Sequence, residues 1–184
     1  MRVLQTSLDE VLIIEPDVLT DERGYLFESC NIAALSSAVG MPVGFVLDLQ
    51  SRSSHGVLRG IHYQVDRPQA KLISVVDGEI FDVAVDLRRS SSGFGRWTGA
   101  VLSAQNKRQI WIPAGFGHAF LTLSSSAEVL YKITDYHSPT GSRVIVWDDP
   151  QIAIEWPLPR ELALPVVSSK DRHGKLLIDA EAFP

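Results

Sequence analysis

Cysteine is almost absent from these 184 residues: Cys30 stands alone, so no intrachain disulfide can form and no zinc site can be built from several thiolates. It follows an apolar run and reads as a small buried residue rather than a nucleophile. Basic residues are also in short supply, with 17 Lys and Arg against 22 Asp and Glu. The net charge of −5 argues against general nucleic-acid binding, while leaving room for a local basic pocket around an anionic ligand. No apolar run approaches membrane-spanning length. The opening Met1-Arg2-Val3-Leu4-Gln5 soon meets Asp9 and Glu10, without the apolar core of a signal peptide. Internal repeats, low-complexity tracts and linker-like stretches are missing as well, so nothing marks a second domain. The expectation is one domain over residues 1–184 of a soluble, cytoplasmic protein, with 45% hydrophobic residues to build its core.

Short β-type runs fill the chain. They span 11–14, 25–29, 43–49, 57–64, 71–76, 79–87, 97–102, 109–112, 119–123, 129–134 and 144–147. Asn31 is placed to cap a short helix that ends at Gly40, and the tail from Leu176 to Ala182 looks helical. Ser51-Arg52-Ser53-Ser54 reads as a polar loop, and Asp77-Gly78 as a two-residue hairpin turn. In the run from Glu79 to Leu87, Phe81, Val83, Val85 and Leu87 share one face, with Asp82, Ala84 and Asp86 on the other. Many short strands with close turn signals predict an all-β, jelly-roll sandwich or barrel with a few peripheral helices.

The run Val57 to Gln64 is the one around which the others converge. A buried strand does not carry Arg59 and His62 without partners, and strict alternation would put them on opposite faces. Gly60 lies between them, and a strand glycine often marks a bulge that re-aims its neighbours. Lys71, His118 and Tyr131 also sit in strand-like apolar contexts. Each has an ordinary reading: a solvated strand end, a turn residue, a core tyrosine. Together with His62 and Arg59 they supply a base, a phenolic acid, a cation for a developing oxyanion and an anion clamp. That set suits proton abstraction next to a ketone followed by return of a proton.

Pro113-Ala114-Gly115-Phe116-Gly117-His118 resembles the second motif of the cupin jelly rolls, and Gly56 with His62 resembles their first. Metal-binding cupins add a second histidine and a carboxylate there, whereas this chain has Gln64 two residues after His62, so no catalytic metal is expected. Longer stretches carry a closer likeness. Val-Leu-Arg-Gly-Ile-His-Tyr-Gln at 57–64, Gly-Glu-Ile-Phe-Asp-Val-Ala-Val-Asp-Leu-Arg at 78–88, the run from Ser103 to Phe120 and Ile-Glu-Trp-Pro at 154–157 resemble the dTDP-4-dehydrorhamnose 3,5-epimerase family. Asp-Glu-Arg-Gly at 21–24 and Ser-Lys-Asp at 169–171 match as well, so the likeness runs through the chain in one register.

The resemblance implies a cofactor-independent epimerase acting on a nucleotide-diphospho-4-keto-6-deoxyhexose at carbons 3 and 5. It implies His62 as the base with Asp171 as its dyad partner, Tyr131 as the acid on the opposite side, and Lys71 at the enolate oxygen. His118 would line the same pocket. Arg59 and Lys170 would hold the diphosphate, and Arg23 and Glu28 would be lent across a homodimer interface. Leu47 and Leu49 stand where the family presents polar contacts, His137 where it commonly stacks a tyrosine on thymine, and Ser142 where it has an acid. These departures lie on the binding side and keep a single-centre epimerase, or one with another nucleotide or sugar, as the alternative. A metal-dependent cupin and a non-catalytic sugar-binding jelly roll are the competing classes.

Overall fold

Residue alternation along the strands decides the layering. The computed structural model describes residues 1–158 and 162–184. With strands numbered along the chain, one sheet holds, in spatial order, β1 (Arg2–Gln5), β2 (Leu12–Glu15), β10 (Gln109–Ile112), β7 (Lys71–Asp77), β12 (Ser126–Ile133) and β5 (Leu47–Ser54). The second sheet holds β13 (Ser142–Val144), β6 (Leu58–Gln64), β11 (Phe116–Thr122), β8 (Glu79–Asp86) and β9 (Trp97–Ser103). Neighbouring strands are antiparallel throughout both sheets. A separate hairpin pairs β3 (Leu19–Asp21) with β4 (Gly24–Leu26). Helix α1 (Ile32–Val39) is capped by the Asn31 side chain and closes at Gly40, as expected. A short α2 (Ser169–Arg172) and a 3₁₀ turn (Leu177–Asp179) complete the elements.

Three apolar clusters separate by strand face. Ile13, Ile73, Ile80, Ala84, Ile110 and Phe120 fill the space between the sheets. Their alternate neighbours Leu12, Ile14, Leu72 and Trp111 pack on the outside of the six-stranded sheet, under Leu35 of α1. Ile61, Val83, Val85 and Leu87 pack on the outside of the five-stranded sheet, under Ile145, Ile152, Leu177 and Ala180. Both faces of β8 are therefore buried, and the two-faced reading of Glu79 to Leu87 holds. This is the expected all-β jelly roll.

Several local expectations need correction. Asp77-Gly78 does not turn a hairpin: β7 pairs with β10 and β12, whereas β8 pairs with β11 and β9, so the chain crosses here from one sheet to the other. Gly78 adopts φ +76°, and a Cβ there would lie 2.0 Å from the Ser126 carbonyl oxygen. The strand placed at 43–49 instead runs Leu47–Ser54, so the polar stretch 51–54 is strand rather than loop. Ser51 and Ser53 lie on the cavity side while Asp48, Arg52 and Ser54 lie on the other, and a strand polar on both sides gives no apolar alternation to read. The run at 25–29 is strand only through Leu26, that at 144–147 only at its start, and the tail forms one 3₁₀ turn rather than a helix.

Candidate active site

At one end of the sandwich the apolar filling gives way to a cavity of about 310 Å³. Its walls include Leu49, Ser51, Arg59, His62, Gln69, Lys71, His118, Phe120 and Tyr131. The two sheets contribute opposite walls: His62 (β6) and His118 (β11) come from the five-stranded sheet, Lys71 (β7) and Tyr131 (β12) from the six-stranded one.

Gly60 solves the alternation problem on β6. It carries φ +119° and precedes a cis peptide, and the β6–β11 register shifts between His118 and Phe120. A Cβ at Gly60 would lie 2.5 Å from both Ala119 Cβ and the His118 carbonyl oxygen, so only glycine lets the strands approach this closely. Ile61 and Tyr63 keep to the outer cluster while Arg59 and His62 both reach the cavity. Arg59 Nε donates to Ser53 Oγ of the facing sheet at 2.9 Å, leaving much of its guanidinium at the exposed mouth.

His62 Nε2 meets Asp171 Oδ1 at 2.5 Å. Asp171 is almost fully buried in α2, where its backbone N–H donates to the Ser168 hydroxyl at 3.1 Å. Burial pushes the Asp171 carboxyl up, but the hydrogen bond from His62, aided by Ser168 and the Gly60 backbone, outweighs it and holds the carboxyl below the usual range. An ionised Asp171 takes the Nε2 proton of a neutral imidazole as its hydrogen bond, which leaves the Nδ1 lone pair free to act as a base. Across the cavity the Tyr131 hydroxyl lies 3.0 Å from Ser51 Oγ, and burial pushes its pKa up to about 12, keeping it a proton donor. Burial brings the Lys71 ammonium down to about 8, opposed by the nearby charge of Asp82. His118 packs edge-on against Tyr131 with ring centroids 6.1 Å apart, and its Nε2 lies 2.9 Å from Asp82 Oδ2. Desolvation lowers the His118 pKa, so the ring is neutral near pH 7.

The remaining expected residues lie outside this cavity. Leu47 lies on the cavity-facing side of β5, opposite Ile133 of β12. Lys170 is exposed beside Asp171 and donates from Nζ to Ser142 Oγ at 3.1 Å. His137 is exposed in the segment after β12. Arg23 sits at the tip of the β3–β4 hairpin, paired with Asp21, and Glu28 accepts from Asn31 Nδ2 at 2.9 Å. Gln64 is engaged elsewhere: its amide donates to the Arg67 and Tyr136 carbonyls and accepts from Ser138 N–H, tying two loops together. Among the described residues, no cluster of three or more His, Cys, Asp or Glu side chains stands ready to hold a metal ion.

The family model of dTDP-4-dehydrorhamnose 3,5-epimerase matches residues 5–179. This chain belongs to that family. A dTDP-4-dehydrorhamnose 3,5-epimerase of Pseudomonas aeruginosa is 52% identical over 184 residues, covering all of both chains. One from Shigella flexneri is 49% identical, covering 100% of this chain and 99% of the other. The crystal structure of dTDP-6-deoxy-D-glucose-3,5-epimerase from Legionella pneumophila, in complex with dTDP-4-keto-L-rhamnose, superposes with a TM-score of 0.93. It is 47% identical, and the match covers 98% of this chain and 94% of that one. Against this epimerase family the sequence reading missed Ser51, Ser53 and Asp82, which hold Tyr131, Arg59 and His118. The serines were hidden in a presumed loop. Asp82 carried a legible signal, a carboxylate flanked by apolar residues on a strand buried on both faces.

Proposed function

We propose that this protein epimerises carbons 3 and 5 of dTDP-4-dehydro-6-deoxyglucose to give dTDP-4-dehydrorhamnose, without a cofactor. The observation that carries the reading is the placement of a dyad-oriented imidazole and a protonated phenol on opposite walls of one cavity. His62 Nδ1 removes the proton beside the C4 ketone, and Asp171 stabilises the imidazolium that forms. Negative charge moves onto the ketone oxygen, where the Lys71 ammonium stabilises the enolate. Tyr131 then returns a proton to the other face of the same carbon, inverting it, and a proton from solvent restores the phenol as His62 releases its own. Repetition at the second carbon flanking the ketone completes the product.

A volume near the lower end of the small-molecule range, ~300–1,000 Å³, suits the sugar ring and leaves the nucleotide outside. Arg59 at the mouth and Lys170 beside Asp171 are the groups assigned to the diphosphate, one as a planar fork and one as a point charge. Arg23 and Glu28 act in the cavity of a second copy, which accounts for their distance from this one. Apolar exposure supports that dimer: on the hairpin carrying Arg23, Leu19 is 69% and Leu26 71% exposed. No helix among the described residues is long and apolar enough to cross a membrane, and a cytoplasmic location is part of this proposal.

Proton NMR of the protein with dTDP-4-dehydro-6-deoxyglucose in deuterated water tests the reading. Deuterium should enter at both carbons 3 and 5 with inversion. Exchange at one centre alone would make the protein a single-centre epimerase, and no exchange would leave a binding protein.

A further inference from the structure

Asp82 is a buried charge-bearing group bonded to a cavity-lining residue, and the proposed chemistry leaves it unused. It is 0% exposed, on the interior face of β8, with Ala100 of β9 and Phe120 of β11 as its cross-strand neighbours. Oδ2 meets His118 Nε2, whereas Oδ1 has no hydrogen-bond partner among the described residues. A carboxyl group so enclosed cannot touch substrate, and such burial is costly unless opposite charge is close. The titratable and charged groups lining the neighbouring cavity are Lys71 on β7, His118 on β11, Tyr131 on β12, and Arg59 and His62 on β6, with Asp171 behind His62. Of these, His118 bonds it directly, and Lys71 interacts with it through charge.

We propose that Asp82 is a positioning residue for the epimerisation: as a carboxylate beneath the cavity wall, it keeps the Lys71 ammonium charged and fixes the His118 ring by accepting its Nε2 proton. The assignment rests on the enolate role given to Lys71 above. Burial alone penalises both charges, drawing the Lys71 pKa down and the Asp82 pKa up, and their attraction opposes both shifts. His118, through its hydrogen bond and its charge, opposes the Asp82 shift most, with Lys71 next, and the Asp82 charge is what opposes the fall at Lys71. With His118 donating Nε2–H to Oδ2, its Nδ1 is left as an acceptor, suited to a sugar hydroxyl rather than to the enolate oxygen. Lys71 is then the enolate's cation, and its charge depends on a residue that never meets the sugar.

Asp82→Asn preserves the shape and removes the charge. The expected result is a fall in the Lys71 titration point, read by NMR of the lysine side chain, to below the wild-type value. The basic limb of the kcat/KM profile should move to lower pH by the same amount, about tenfold in rate above both limbs per unit of displacement. In the Lys71→Arg background, where the cation cannot lose its proton, Asp82→Asn should leave the position of the basic limb unmoved. An unchanged Lys71 titration in Asp82→Asn overturns the proposal. Should Asp82→Asn not fold, the carboxyl carbon of Asp82 in the wild-type protein decides: it should read as carboxylate at pH 7 and respond as Lys71 titrates, and a protonated carboxyl there overturns the proposal. A displaced Lys71 titration in a protein that exchanges no substrate protons would instead sink the epimerase reading and leave the electrostatic one standing.

Discussion

His62 and Tyr131 stand on different walls, so their removal should break the reaction at different points. His62→Ala should suppress deuterium incorporation next to the ketone by ~10²–10⁴-fold, the usual contribution of a positioned acid or base. Tyr131→Phe keeps the ring packed against His118 but loses the donor, so exchange should outlast inversion; equal loss of both with the fold intact would make Tyr131 a positioning group. Asp171 adds a test by pH. Its carboxyl is held below the ordinary value of 3.8, so it contributes stability that is present above that value and is lost as pH falls through the depressed one. Asp171→Asn should therefore flatten the acid arm of a chemical-denaturation series, and an unchanged arm would show that the dyad hydrogen bond does not outweigh burial. The convergence of His62, Lys71, His118 and Tyr131 on one cavity was legible because they are polar residues set in apolar strand contexts. Asp82 was just as anomalous, but a carboxylate on the less apolar face of β8 passes for a solvent-facing residue until β7, β11 and β12 close over it.

Strand β6 shows how much one residue decides for an element. Gly60→Ala would strain a backbone at φ +119° and drive a methyl group into β11. The expected cost is about 1–3 kcal/mol, measurable by urea unfolding, with activity falling further because Arg59 and His62 lose their shared direction. Full activity in that variant would mean the strands part easily and the bulge is dispensable. On β5, Leu49 lines the cavity and Leu47 lies two residues along the same side. A neutral hydrogen bond typically contributes ~0.5–1.5 kcal/mol, so Leu47→Gln with Leu49→Asn should lower KM for the thymidine substrate more than it changes kcat. A worse enzyme would show that the leucines fit that substrate as they are. Elements were read well where one face is apolar and the ends are marked: β10 and α1 fell where Gln109–Ile112 and the Asn31 and Gly40 signals put them. The Asp77-Gly78 signal was real as a corner and misleading as a hairpin, because local sequence does not say which sheet each arm will join.

At the level of the molecule, the hairpin exposing Leu19, Tyr25 and Leu26 beside Arg23 is the surface on which the proposed second copy would sit. If each cavity borrows Arg23 from its partner, Arg23→Ala and His62→Ala should each be nearly inactive, and mixing them under exchange conditions should restore activity through heterodimers with one intact site. Sedimentation of the wild type should give twice the chain mass; a monomer, or a mixture that stays inactive, would refute sharing. Asp171 reaches His62 only because the last part of the chain docks on the outer face of the five-stranded sheet. There Ile145, Ile152 and Leu177 are buried, each contributing ~1.5–3 kcal/mol, and Phe183 exchanges backbone hydrogen bonds with Leu87 and Arg89. The strands that bear His62, Lys71, His118 and Tyr131 are all complete by residue 133, yet His62 acquires its carboxylate partner about 40 residues later. During synthesis the sandwich can therefore assemble on the ribosome with its imidazole unaligned, and under the proposed mechanism the growing chain becomes active only when the segment carrying Asp171 has emerged and closed over the sheet.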